Sequence, residues 1–97
     1  MATYITVGSF TDQGIRGVRD TTKRAAAVKE AAKKAGVTMK EIYWTMGQFD
    51  VIGIFEAPDD ASMSAVSLAI GAAGNIRGQT LRAYPREEMD AILRKMP

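Results

Sequence analysis

The 97-residue chain contains no cysteine and no histidine. That excludes disulfides, thiolate nucleophiles, Cys/His zinc sites, haem ligation through either residue and any catalytic triad with an imidazole base. We therefore expect no metal, no cofactor and no catalytic residue. No apolar run reaches the ~18 residues of the shortest membrane span. The amino-terminal residues also lack the basic stretch, apolar core and cleavage site of a secretory signal, so the expectation is a cytoplasmic protein with no membrane partner. A strong charge of one sign is missing as well. Thirteen Lys and Arg face eleven Asp and Glu, a net charge of +2, so a pI of about 9.1 does not signify a basic footprint, and nucleic acid is not an expected partner. Residues 1–97 are too few for two domains and read as one.

What is present is a regular alternation of strand and helix patterns. Residues 3–9 alternate Ile5 and Val7 with Tyr4, Thr6 and Gly8, the period of a half-buried strand. Thr11 or Asp12 is a suitable helix cap, and Gly14 and Gly17 loosen the start. From about Asp20 a helix places Thr21, Ala25, Val28, Ala32 and Ala35 on one stripe, ending at Gly36. That stripe is mostly alanine, which brings the helix close to a sheet but buries little area per residue. Residues 40–47 and Val51–Ala57 read as an antiparallel hairpin closed by Gly47, Gln48, Phe49 and Asp50. Asp59 or Asp60 caps the next helix, which runs to about Ala73. Ile76–Tyr84 reads as a fourth strand, and Pro85 opens a last helix with Met89, Ile92, Leu93 and Met96 on one face.

Strand, helix, strand, strand, helix, strand, helix predicts an α+β protein: a ferredoxin-like βαββαβ sandwich with a C-terminal helix, both crossover helices lying on one face of a four-stranded antiparallel sheet. The other face is left open. Ala61–Ile76 carries no charge and is apolar on more than one helical face, more than a single stripe against the sheet requires. Both features predict self-association as a homodimer or higher oligomer, with two sheets face to face in a dimeric α+β barrel. If Ile5, Val7 and Leu81 face the helices, then Tyr4, Thr6, Thr80 and Arg82 point into the barrel, joined by Tyr43 and Thr45, and make a small polar pocket between subunits.

Six segments, Thr11-Asp12-Gln13-Gly14-Ile15, Tyr43-Trp44-Thr45, Gly47-Gln48-Phe49-Asp50, Glu56-Ala57-Pro58-Asp59-Asp60, Gly74-Asn75-Ile76-Arg77 and Thr80-Leu81-Arg82-Ala83, together resemble the GYD domain family over essentially the whole chain. In the Gly-Tyr-Asp element Gln48 intervenes and Phe49 stands where a hydroxyl-bearing aromatic is usual. The resemblance implies a ferredoxin-like fold and a dimeric barrel, and it carries no activity across. The Gly-x-aromatic-Asp hairpin followed by an alternating strand also looks like the effector-binding and oligomerisation domain of feast/famine transcriptional regulators. No helix-turn-helix precedes it here, so that fold-level likeness implies a stand-alone sensor or assembly module.

The candidate ligand-binding residues are Tyr4, Thr6, Tyr43, Trp44, Thr45, Asp50, Thr80 and Arg82. Asp50 either accepts hydrogen bonds from a ligand amine or a neighbouring subunit, or binds amides of its own turn. Trp44 and Tyr43 either stack on a flat ligand or serve as one core and one interface residue. Arg82 either forks onto an anion or pairs with Glu56 or another carboxylate. The leading reading is a binding or assembly module of uncharacterised role with a small polar ligand between subunits. A cofactor-free oxygenase or isomerase using Trp44, Asn75, Tyr43 and Arg82 is the alternative.

Overall fold

A computed structural model describes residues 1–97. The strands are β1 (Ala2–Phe10), β2 (Thr38–Trp44), β3 (Val51–Ala57) and β4 (Ile76–Ala83). The helices are α1 (Asp12–Arg16), α2 (Thr21–Lys34), α3 (Asp60–Ala73) and α4 (Arg86–Arg94), with a 3-10 turn over Val18–Asp20. The sheet order is β2-β3-β1-β4, with every pair antiparallel. This is the ferredoxin-like arrangement expected from the element order, with the two halves of the chain interleaved so that β1 lies centrally.

Eight buried side chains make the core: Tyr4, Met39, Phe55 and Ala57 from the sheet, Ala32, Met63 and Val66 from the helices, and Val37 from the loop between them. Register fixes their common face, because Tyr4 lies opposite Phe55 in β3 and opposite Arg82 in β4, with Thr6 opposite Gly53 and Thr80. Lys40 is an extra residue at a bulge in β2, after which Ile42 and Trp44 turn to the helix side and Tyr43 to the open side. Gly53 is needed where it stands, since a Cβ there would lie 2.8 Å from the Phe55 ring.

The faces of β1 and β4 are the reverse of those expected. Tyr4, Thr6, Thr80 and Arg82 stand under the helices, and Ile5, Val7 and Leu81 stand on the open side. The physical reason is volume. The alanine stripe of α2 sits close but fills little space, so the sheet must supply the bulk, and Tyr4, Phe55 and Met39 supply more than Ile5 or Val7. Both faces of β1 are half apolar, so alternation alone does not set the one-residue phase.

Two joints tie the elements together. In the first, Thr11 caps α1 by accepting from the Gly14 amide at 3.0 Å and donates its hydroxyl hydrogen to the Gly74 carbonyl at 2.5 Å. Gln13 donates to the Ala73 carbonyl at 3.0 Å and to Asn75 Oδ1 at 2.9 Å. Gly14 meets Asn75 so closely that a Cβ would stand 2.0 Å from its carbonyl oxygen. In the second, the Asp50 amide donates to the Gly8 carbonyl and its carboxylate accepts from the Phe10 amide, both at 2.9 Å. Asp50 therefore stabilises the junction of the hairpin with β1 and not the amides of its own turn. Asp59 caps α3 by accepting from the Ser62 amide at 2.8 Å.

The molecule measures 50 × 31 × 18 Å with a radius of gyration of 14.4 Å, against about 13 Å for a compact chain of 100 residues. Its thinness reflects two layers, one of helices and one of sheet. Its length agrees with a C-terminal helix whose apolar face, Met89, Ile92, Leu93 and Met96, is exposed.

Candidate functional site

Two surfaces stand out, one on each side of the sheet. The middle of the open side is aliphatic, with Thr3, Glu41, Glu56 and Gln79 around it. Ile5 has Ile54 and Leu81 as cross-strand neighbours, and Val7 and Tyr43 flank Ile52. Tyr43 is 53% and Leu81 45% exposed, and the four β-branched residues between them are partly exposed. Apolar residues exposed singly are ordinary, whereas these form a contiguous row across four strands. No helix of the chain is long and apolar enough to cross a membrane.

The helix side carries a polar cleft of about 780 Å³ between α3 and β4. The Tyr4 hydroxyl donates to Asp60 Oδ1 at 2.5 Å, linking the central strand to the first turn of α3. This hydrogen bond, then burial and the Asp60 charge, holds the Tyr4 hydroxyl above the ordinary tyrosine range, with the Arg82 charge acting in the opposite sense. Thr80 Oγ1 lies 3.0 Å from Thr6 Oγ1 and 2.7 Å from Ser67 Oγ, so three hydroxyls form a chain across the cleft floor. Arg82 pairs with Glu88 of α4 at 3.1 Å, donates to the Thr3 and Ala83 carbonyls, and places its guanidinium 4.8 Å from the Tyr84 ring centroid and 5.6 Å from that of Tyr4. Its pairing with Glu88 raises its basicity further. Of the partners open to Arg82, Glu56 or another carboxylate across the sheet, neither is used: Glu88 of α4 takes that place, and Glu56 is 3.9 Å from Lys40.

Of the eight candidate residues, Tyr4, Thr6, Thr80 and Arg82 are brought together, in this cleft and not on the open face. The other four are dispersed. Tyr43 stands on the open face. Trp44 donates from its indole nitrogen to Thr21 Oγ1 at 3.0 Å, and the Thr45 hydroxyl donates to the Phe49 carbonyl at 2.6 Å within the hairpin. Asp50 is committed to Phe10. The set Trp44, Asn75, Tyr43 and Arg82 is not assembled, since Trp44 and Asn75 line an apolar cavity of about 400 Å³ between α2 and α3, Arg82 lines the polar cleft, and Tyr43 lies on the opposite face of the sheet.

Asp60, Ser67 and Glu88 join the cluster although sequence reasoning passed over them as site residues. The signal for the first two was helical spacing: 60, 64 and 67 share one stripe of a helix whose neighbouring stripe, Met63, Val66 and Ile70, enters or flanks the core.

Comparison with known proteins agrees with this architecture. The "Glutamine synthetase and cystathionine beta-lyase binding protein" of Thermus thermophilus is 27% identical over 95 residues, which cover 97% of this chain and 100% of that one. The crystal structure of TTHA0845, also from Thermus thermophilus, shares the fold, with a TM-score of 0.54 and 23% identity over 89% of this chain and 100% of that chain. Residues 4–93, from the buried Tyr4 of β1 to Leu93 on the apolar face of α4, match the family described as GYD domain, and the chain belongs to that family.

Proposed function

We propose that the protein is a cytoplasmic binding module that works by association, first with itself through the open sheet face as a dimeric α+β barrel, then with a protein partner. The observation that carries this reading is the aliphatic row Ile5, Ile54 and Leu81 with its neighbours Val7, Ile52 and Tyr43. Two copies meeting there bury flat β-branched surfaces against each other, as in any face-to-face sheet pair. A core of eight side chains is small for 97 residues, so burial between copies adds to the stability that each copy lacks alone. The Thermus relative is named for binding two other proteins, which supports a protein partner for this chain as well.

The test is a charge placed at the centre of the row. Ile5 has only Ile54 and Leu81 as cross-strand partners, so in a symmetric sheet-to-sheet dimer Ile5→Lys puts two ammonium groups with no carboxylate opposite them into one apolar interface. The expected result is a monomer by light scattering with its far-UV circular dichroism retained. A variant with unchanged oligomeric mass would remove the open face from the assembly.

A further inference from the structure

Three groups around the helix-side cleft have bonding capacity that the protein leaves unused. Asp60 accepts from Tyr4 through Oδ1, and its Oδ2 meets no donor of the chain. Arg82 has five N–H hydrogens. Nη1 serves Thr3, Ala83 and Glu88, and Nη2 sends one hydrogen to Glu88, so a second Nη2 hydrogen and the Nε–H have no protein acceptor. Thr6, Thr80 and Ser67 own three hydroxyl hydrogens and share only two bonds among themselves, so one hydrogen remains to be donated.

These leftovers have a chemical complement. A carboxylate oxygen calls for a cation, a guanidinium edge for an anion, and a hydroxyl hydrogen for an acceptor. Tyr4 stands between the two charged poles, its hydroxyl on Asp60 and its ring beneath Arg82, and both poles line the one cleft, so a single ligand carrying both charges complements the pair. A simple anion would be repelled by Asp60 and Glu88, and a simple cation by Arg82. We infer that the cleft binds a small zwitterion of the amino-acid type, its ammonium on Asp60, its carboxylate on the free edge of Arg82 and a further polar atom on the Thr6–Thr80–Ser67 chain. The cleft's volume of about 780 Å³ lies within the range of small-molecule sites, and its position within one protomer makes binding independent of the sheet face.

The experiment is isothermal titration of the full chain with glycine, L-serine and L-glutamine, each beside its N-acetyl and its carboxamide derivative. At least one free amino acid should bind, and masking either charge should weaken that binding by about tenfold or more. Asp60→Asn keeps an acceptor for the Tyr4 hydroxyl and removes the charge. It should lose about tenfold or more in affinity while the light-scattering mass stays that of the parent and the far-UV circular dichroism stays that of the folded chain, which separates this inference from the assembly reading. The inference fails if none of the three binds saturably up to about 10 mM, tenfold above a 1 mM site. It fails equally if a derivative lacking one charge binds as tightly as its parent, or if Asp60→Asn keeps full affinity.

Discussion

The Tyr4 hydroxyl lies 2.5 Å from the Asp60 carboxylate, joining the centre of β1 to the first turn of α3. Tyr4 is 4% exposed, whereas its neighbour Ile5 faces the opposite way among Ile54 and Leu81. Adjacent residues of one strand thus serve two surfaces: the polar cleft under the helices and the aliphatic face away from them.

The Tyr4 contact sets an alkaline limit. Its proton is held more tightly in the folded chain than in the unfolded one. The stabilisation is therefore complete below the unfolded tyrosine value of about 10 and is lost as pH rises through the higher folded value. Tyr4→Phe should melt a few degrees lower at neutral pH and should lose less of its melting temperature between about pH 9 and pH 11 than the parent. Thermal unfolding by circular dichroism at the two ends of that range measures the difference.

Asp59 sets the acid limit with the opposite sign. Hydrogen bonds from the Ser62 amide and hydroxyl hold its carboxyl below the ordinary range, so its contribution is present above about pH 4 and disappears as pH falls through the depressed folded value. Asp59→Asn still caps α3 but removes the titration. Its melting temperature should fall less steeply than the parent's between about pH 5 and pH 2.5.

Two glycines should respond to alanine with opposite signs. At Gly14 a Cβ would collide with the Asn75 backbone, so Gly14→Ala must separate α1 from the start of β4 and should cost several kcal/mol, more than about 3. Gly71 lies inside α3 with nothing within 4 Å of an added Cβ, so Gly71→Ala should stabilise by about 0.5–1 kcal/mol through helix propensity. Chemical denaturation reads both values.

Asp50→Ala removes the acceptor for the Phe10 amide without touching the cleft. It should cost about 1–3 kcal/mol, the range for a hydrogen bond to a charged group and the donor left behind. The Phe10 and Asp50 amides should then exchange with deuterium faster than those in the middle of β1.

The order of the elements was legible in the sequence because most boundaries have a local chemical cause: Thr11 and Asp59 at helix starts, Gly36 and Gly74 at helix ends, and Gly47 with a φ of +106° in the hairpin. The strand expected over 40–47 instead spans Thr38–Trp44, and Asp12–Arg16, read as helix entry, is a helix of its own. The phase of β1 was not legible. Tyr4 and Ile5 are each plausible on either face, and the choice follows from how much volume α2 and α3 leave, a property of the assembled layers. Half of the candidate residues share one site because parity errors are collective. Reversing β1 and β4 together moves Tyr4, Thr6, Thr80 and Arg82 as a group and preserves their neighbours. Asp60 and Glu88 come to them from α3 and α4, across 56 and 6 positions of sequence, where no strand pattern points.

The central claim is that the open sheet face is covered by a second copy, and the mass of the unmodified chain in solution tests it most directly. Size-exclusion chromatography with multi-angle light scattering at micromolar concentration should give twice the 10.5 kDa chain mass or a higher multiple. A stable species of one chain mass, unchanged on concentration, would contradict the account.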